Sequence, residues 1–369
     1  IIDDSFVPDQ SVTGKGYAWT YLISDESEQE FAPDFTYTGF RYVQIQGAVP
    51  DLEKNKGNMP VIEKIVGEFI YPDVEQTGEF HCSKPLFNDI HKIICQAILS
   101  NLKSYTTDCP HRERLPWLEQ THLIAPGVMY NYDTQNIYQK QEQDMSDSQR
   151  ENGLVPDICP EYVVFGYHEG FVDSPEWGSA CILNPWYLYQ RYGDTATMER
   201  CYETMRRYLD YLTSRTHHHV LHHGLGDWLD IGPNKPASQN TPVPVTATCI
   251  YYYDICIMKK IAEYLGKKDE VQELEKLRQE VYREYNLQFF DDQTFCYATG
   301  SQAAQAMSLV TGLVPDKYRE KVTDRLRKDI VNRNYAVTAG DIGHPFLITA
   351  AIQNGLSDLI NEMTEQTDT

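Results

Sequence analysis

No Cys-x-x-Cys pair occurs in this sequence, although it contains nine cysteines. They are scattered singly between positions 82 and 296, and their number is odd. Both features disfavour a disulfide framework and a cysteine zinc site, so most of these thiols are expected to be reduced and buried. Five histidines at 217–219, 222 and 223 lack a glutamate or cysteine at ligand spacing. We expect a solvated hairpin there rather than a metal site.

Basic residues are also scarce, with 32 Lys and Arg against 54 Asp and Glu and a net charge of −22. This balance disfavours nucleic acid and anionic membranes as partners. No run of about 18 apolar residues could span a membrane. A Gly-rich phosphate loop and a Gly-x-Ser-x-Gly elbow are missing, so we expect no cofactor. The sequence fixes neither the oligomeric state nor the compartment, and a periplasmic or extracellular location is favoured over a cytoplasmic one.

What the chain does contain is a globular composition rich in polar-tipped rings. Hydrophobic residues make up 41% and aromatic residues 12%, with 26 tyrosines and five tryptophans. Such rings are typical of a carbohydrate cleft and also of ordinary interfaces. A length of 369 residues is enough for one large domain or two smaller ones.

The first 80 residues have the pattern of strands and turns. Residues 40–46 alternate apolar and polar side chains between glycines, and residues 62–71 are a second strand candidate. A handful of strands without helices predicts part of a β-sandwich domain at 1–80.

From Ser83-Lys84-Pro85 onward the periodicity becomes helical, and Pro85 suits a first helical turn. About eleven helices are predicted, at 85–105, 115–131, 134–151, 178–192, 195–214, 245–265, 268–287, 301–312, 315–331, 344–354 and 356–366. No repeat period recurs, which disfavours an α-solenoid. We therefore predict a mainly α chain in which 81–369 form an incomplete (α/α)6 toroid. That fold has twelve helices, so the chain is expected to stop inside its own domain.

The stretch 107–123 carries the strongest chemical signal. Asp108 and Glu113 are five residues apart with Arg112 between them, and Trp117 follows one helical turn later. Pro110 interrupts any helix. A carboxylic acid beside a guanidinium and an indole suits an acid catalyst that acts on a sugar ring. The alternative is that Asp108 forms a turn or cap and that Glu113 lies on a solvated face.

Two later segments offer similar parts. Asp173 and Trp177 flank a Ser-Pro-Glu loop before a helix, where Asp173 could instead be a cap and Trp177 a core residue. Asp227 and Trp228 follow two glycines, where a plain turn is the alternative. A toroid would bring these loops together around a central hollow.

The segment 108–117, Asp-Cys-Pro-His-Arg-Glu-Arg-Leu-Pro-Trp, resembles the signature of α-L-rhamnosidases of glycoside hydrolase family 78. Residues 35–43 resemble the end of the β-sandwich that precedes it in that family. Trp177-Gly178 and Gly226-Asp227-Trp228 are similar to the later substrate-binding motifs, and residues 301–306 and 312–315 also match.

The resemblance implies an (α/α)6 barrel that removes terminal α-L-rhamnose from glycosides or polysaccharides with inversion. Glu113 matches the general acid, and a second carboxylate about 6.5–9.5 Å away would activate water. Positions that match sugar contacts, together with the candidates Gln120 and Asp173, make the predicted substrate-binding set: Asp108, Arg112, Trp117, Gln120, Asp173, Trp177, Asp227 and Trp228.

Two departures from the family pattern affect this interpretation. Where the family often has Trp-Thr-Gly-Asp, this chain has Trp117-Leu118-Glu119-Gln120. Either Gln120 makes neutral hydrogen bonds, or Glu119 takes the place of the acid. The general base is expected downstream of 343–348, beyond the last residue, so the chain as given is expected to be weak or inactive. Another exo-glycosidase specificity, a non-catalytic carbohydrate-binding protein and a helical interaction scaffold are the alternatives.

Overall fold

The computed structural model describes residues 10–11, 16–24, 28–50, 57, 59–166, 168–233 and 236–366. It divides into two compact units, Ile1–Leu115 and Pro116–Thr369. Each unit is described by itself. This division at residue 115 differs from the domain limit predicted near residue 80, and the predicted domains, 1–80 and 81–369, stay a prediction. Across the described residues, no helix combines the length and hydropathy that crossing a membrane requires.

The described part of the first unit consists of irregular chain and one α-helix. Among its described residues one parallel bridge is formed, between Val49 and Val61. The segments 40–46 and 62–71, predicted as strands, form no strand. A strand forms only where neighbouring chain pairs with its amides and carbonyls. Helix α1 spans Pro85–Asn101 with proline in its first turn. It ends before the predicted residue 105 because Leu102 is extended.

The second unit is almost entirely helical. A two-stranded antiparallel hairpin pairs β1 (Phe290–Asp291) with β2 (Cys296–Tyr297). Its helices are α2 (Leu118–Leu123), α3 (Ala125–Asn131), α4 (Gln135–Ser148), α5 (Pro175–Gly178), α6 (Ala180–Tyr192), α7 (Thr195–Arg215), α8 (Val243–Tyr264), α9 (Lys268–Phe289), α10 (Gln302–Thr311), α11 (Arg319–Asn332), α12 (Gly343–Gln353) and α13 (Ser357–Thr364).

These helices alternate between an inner and an outer layer. Helices α2, α6, α8, α10 and α12 pack against one another in that order, while α7, α9, α11 and α13 each pack on the inner helix before them. Burial follows the layers, since inner α8 buries most of its length. Outer α9 has the same length but buries only Leu274, Val281 and Tyr285. The predicted mainly α fold is confirmed, and the order of the layers is consistent with the predicted (α/α)6 toroid.

Proline affects where the helices begin in two of the predicted segments. The helix predicted at 115–131 breaks at Ile124, because Pro126 lies in the first turn of α3 and has no amide to donate. The helix predicted from 178 is preceded by the single turn α5, which begins at Pro175. The histidine run forms the expected hairpin, in which the amide of His217 donates to Val220 O at 2.9 Å.

Candidate active site

Residues 108–115 of the signature segment lie in the first unit, and two hydrogen bonds close the loop that they form. The amide of Leu115 donates to Asp108 Oδ1 at 2.9 Å, and the amide of Asp108 donates to Leu115 O at 3.2 Å. The amide of Gly39 donates to Pro110 O at 2.8 Å, and the guanidinium of Arg114 donates to Tyr37 O. Asp108 therefore shapes the turn that presents the following residues.

Glu113 and Arg112 project from this loop as a pair. Arg112 Nη2 lies 3.4 Å from Glu113 Oε1, and the two side chains are 55% and 33% exposed. The amide of Glu113 donates to Cys109 Sγ at 3.3 Å. The carboxyl group of Glu113 is therefore accessible to solvent. It lies beside the guanidinium of Arg112, whose N–H donors have a fixed planar geometry. Asp108, Arg112 and Glu113 belong to this unit, and the other predicted site residues belong to the second.

Four rings in the second unit form what we call the aromatic wall: Trp117, Phe165, Phe171 and Trp228. Trp117 stacks on Phe165 with ring centroids 5.6 Å apart and planes 3° from parallel. Phe171 meets Trp117 at 6.2 Å and Trp228 edge-on at 5.6 Å. Trp117 and Trp228, predicted from separate motifs, are therefore brought together by Phe171. Neither Phe165 nor Phe171 was among the predicted site residues.

Trp177 is not part of the aromatic wall. It lies on α5 with 2% of its surface exposed, and its Nε1 has no hydrogen-bond partner among the described residues. Trp177 therefore occupies a core position, which was the alternative interpretation of its motif. Its predicted sugar contact stays a prediction.

Asp227 joins the loop at 224–233 to the start of α12. The amide of Gly340 donates to its Oδ2 at 2.9 Å and the amide of Gly343 to its Oδ1 at 2.7 Å. Its side chain is fully buried. Burial raises the pKa of Asp227 to about 6, although the two backbone bonds oppose the rise. One oxygen of Asp227 thus accepts from the first residue of α12 and the other from Gly340, just before that helix. Sugar binding by Asp227 stays a prediction.

Asp173 also pairs with protein groups. It accepts a hydrogen bond from Tyr211 Oη, and it lies 3.3 Å from His223 Nε2 and 3.6 Å from Arg215 Nη2. Burial by itself raises the pKa of this carboxyl, but these three partners outweigh it and hold the pKa below its usual value. Asp173 is therefore an ionised group that ties the loop before α5 to the end of α7.

A pocket of about 390 Å³ opens beside Trp228, between α2, the loop at 229–231 and the start of α12. Leu229 on its rim adopts a left-handed φ of 59°, a conformation that non-glycine residues rarely adopt and that recurs at binding sites. The pocket is lined by Gln120, Leu123, Ile124, Leu229, Ile231, Ala339, Gly340, Asp341, His344 and Pro345.

Gln120, not Glu119, faces this pocket. Glu119 is only 6% exposed, and Gln120 Nε2 donates to its Oε1 at 3.2 Å. Burial, with a smaller contribution from the charge of Asp341, raises the pKa of Glu119 to about 8. Gln120 thus lines the pocket while Glu119 is buried, and the role of either residue in sugar binding stays a prediction.

Several buried acids near the site were not predicted. Glu176 is fully buried, accepts a hydrogen bond from Thr246 Oγ1 at 2.6 Å, and has its pKa raised by burial to about 7. Asp157 accepts from the amide of Ser174 at 2.9 Å, and burial raises its pKa well above the usual value. Glu176 belongs to the Ser-Pro-Glu loop between Asp173 and Trp177, and Asp341 follows a glycine in the sequence, as Asp227 does. No local pattern marks Asp157.

The raised pKa of Glu119 predicts a pH-dependent effect of Glu119→Gln. An unfolded glutamate has a pKa of about 4.3, so the folded chain binds more protons between that value and about 8. The contribution of Glu119 to stability is therefore greatest in acid and is lost as pH rises through 8. We expect Glu119→Gln to be about 2–4 kcal/mol more stable than the parent at pH 8.5, with no such gain at pH 4.5.

Urea unfolding at the two pH values measures this difference. Glu176 and Asp227 shift stability in the same direction in both proteins, so the comparison isolates Glu119. Exposed Glu199 on α7 provides a matched control as Glu199→Gln. A Glu119→Gln difference that is the same at both pH values would contradict the assignment.

Inner and outer helices that alternate along the chain, as in the second unit, are typical of a six-hairpin glycosidase domain. The family model for the bacterial alpha-L-rhamnosidase 6 hairpin glycosidase domain matches residues 75–369. The model for the bacterial alpha-L-rhamnosidase concanavalin-like domain matches residues 2–70, in agreement with the predicted β-sandwich. The chain belongs to the bacterial α-L-rhamnosidase family.

Relatives and solved structures agree with this family. An α-L-rhamnosidase of Formosa agariphila is 27% identical over 94% of this chain and 37% of its own length. The structure of α-L-rhamnosidase from "Dictyoglumus thermophilum" superposes with a TM-score of 0.77 at 27% identity, over 84% of this chain and 36% of that one. The Streptomyces avermitilis α-L-rhamnosidase complexed with L-rhamnose gives a TM-score of 0.74 at 26% identity, over 80% and 28%. The chain spans about a third of the length of these relatives.

Proposed function

We propose that this chain carries the acid side of the active site of a glycosidase that removes terminal α-L-rhamnose from glycosides or polysaccharides. The observation that carries the proposal is the family match over 75–369, together with the closed loop that presents Glu113 beside Arg112. The Streptomyces avermitilis relative complexed with L-rhamnose supports the sugar class.

In this mechanism Glu113 protonates the glycosidic oxygen as the bond to the anomeric carbon breaks. A water molecule on the opposite face of the ring forms the new bond to the anomeric carbon while a second carboxylate, expected downstream of residues 343–348, takes its proton, so the configuration inverts. Arg112, 3.4 Å from Glu113, is proposed to donate to sugar hydroxyls and to orient the acid. Because the developing positive charge lies on the ring, a nearby carboxylate also stabilises the transition state.

The proposed substrate-binding residues have two roles. Gln120 lines the pocket, and half-buried Trp228 precedes the lining residue Leu229, so we propose that both contact sugar. We propose that Trp117 supports Trp228 through Phe171. Asp108, Asp173, Trp177 and Asp227 already pair with or are enclosed by protein groups. We propose that these four position the loops rather than touch the ring.

Hydrolysis of p-nitrophenyl α-L-rhamnoside by the polypeptide that contains this chain tests the proposal. We expect release from this glycoside to exceed release from the α-L-fucoside and the β-D-glucoside, and NMR to show β-L-rhamnose as the first product, as inversion requires. Initial α-L-rhamnose would contradict inversion. Binding of rhamnosides without release would instead support a carbohydrate-binding protein.

A further inference from the structure

The pocket beside Trp228 contains a carboxylate that the protein does not use. In the part of the chain that the structure describes, no hydrogen bond or ion pair engages the side chain of Asp341, and burial alone raises its pKa. It lies two residues before α12, yet that helix has no side-chain cap. The N-cap residue is Ile342, whose side chain has no acceptor, and the amides of Gly340 and Gly343 donate to Asp227 instead. Asp341 is therefore left free to accept hydrogen bonds from a ligand.

The backbone around Asp341 is held in place. Its own amide donates to Trp228 O at 2.7 Å, and the amide of Ile231 donates to Thr338 O at 3.1 Å. A Cβ on Gly340 would lie 2.1 Å from Trp228 O, so the two segments pack backbone to backbone. This wall of the pocket is formed before any ligand binds, and a preformed pocket loses less entropy on binding.

Gln120 supplies a second acceptor from α2. Its Nε2 donates to Glu119, which leaves the carbonyl oxygen of the amide for a ligand donor. The remaining side chains of the pocket are mostly apolar, with Leu229 and Ile231 on one segment and Leu123 and Ile124 on the other. Two acceptors among apolar surfaces suit a ligand that presents hydroxyl donors together with an apolar edge.

We propose that Asp341 is a specificity-determining residue, whose carboxylate accepts hydrogen bonds from adjacent hydroxyls of a 6-deoxyhexose bound in this pocket. Gln120 accepts from a further hydroxyl, and Leu229 and Ile231 pack against the C6 methyl group. The inference rests on the proposed function for its sugar class, and it adds a residue and a discrimination that the family match does not assign. A carboxylate bound by two hydroxyls is worth more than a neutral amide at the same place.

The charge of Asp341 is essential to this role, and the groups that face it are Glu119 on α2, Asp227 in the adjoining loop and His344 on α12. Binding is expected to weaken as the solution is acidified and the carboxylate of Asp341 takes up a proton. Asp341→Asn should remove this part of the pH dependence.

The test measures affinity directly, by calorimetry with L-rhamnose and the whole chain. We expect Asp341→Asn to raise Kd about 10- to 100-fold, as for loss of hydrogen bonds to a charged acceptor, while Tm is unchanged or higher because no protein contact is lost. Exposed Asp358 on α13 gives the matched control Asp358→Asn, which should leave Kd unchanged. L-mannose, which differs from L-rhamnose by a 6-hydroxyl group, should bind more weakly.

Each result separates this inference from the proposed function. Hydrolysis of rhamnosides with an unchanged Kd in Asp341→Asn would overturn the inference and leave the function standing. Rhamnose binding that depends on Asp341, without hydrolysis by the longer polypeptide, would support the inference and overturn the function. Absence of L-rhamnose binding to the parent chain would overturn the inference, and equal affinity for L-mannose would overturn the role of Leu229 and Ile231.

Discussion

Glu113→Gln should lower kcat for p-nitrophenyl α-L-rhamnoside by about 10²–10⁴-fold in the polypeptide that contains this chain, as expected for loss of a general acid. Glutamine keeps the size of the side chain and can still lie beside Arg112, 3.4 Å away, but it cannot give a proton to the leaving oxygen. KM should change little because the ring contacts remain. Steady-state kinetics of both proteins measure the effect.

The leaving group distinguishes acid catalysis from a structural role. A p-nitrophenolate leaves readily without a proton, whereas an alkoxide does not, so the loss in Glu113→Gln should be larger for methyl α-L-rhamnoside. Exposed Glu79 in the same unit provides the control Glu79→Gln, which should retain full activity. An equal loss for both substrates would mean that Glu113 shapes the site and does not donate the proton.

The helical part of the fold was predictable because its cause is local. Apolar residues at helical spacing and glycine or proline between them predicted helices at 195–214 and 268–287, and the structure has Thr195–Arg215 and Lys268–Phe289. The strands predicted at 40–46 and 62–71 do not form. A strand depends on a partner elsewhere in the chain, and local alternation does not reveal whether that partner is present.

The site was predictable only to the level of motifs. Trp117 and Trp228 were proposed from separate segments, and the structure joins them through Phe171. Asp227 and Asp341 each follow a glycine in the sequence. Asp227 is nevertheless fully buried and accepts from two backbone amides, whereas Asp341 lines an open pocket. Which of the two meets a ligand depends on how the loop at 224–233 packs on the start of α12, and no local pattern contains that information.

Asp227→Ala should destabilise the second unit by about 2–6 kcal/mol, since each buried amide left without an acceptor costs about 1–3 kcal/mol. Alanine removes both oxygens, so the amides of Gly340 and Gly343 lose their acceptors at a site closed to water. Urea unfolding followed by circular dichroism measures the loss. Asp324→Ala on α11, where the carboxylate is 49% exposed and pairs with Lys328, should change stability by less than about 1 kcal/mol.

Asp227→Asn separates hydrogen bonding from charge. Asparagine keeps one oxygen acceptor, so it should lose about half as much stability as alanine near pH 5. The folded pKa of about 6 is above the unfolded value of about 3.9, so ionisation of Asp227 lowers the parent's stability as pH rises through 6. Asparagine has no such loss, and its deficit should therefore shrink between pH 5 and pH 7. A deficit that grows over this range, or an alanine variant as stable as Asp324→Ala, would show that α12 begins correctly without Asp227.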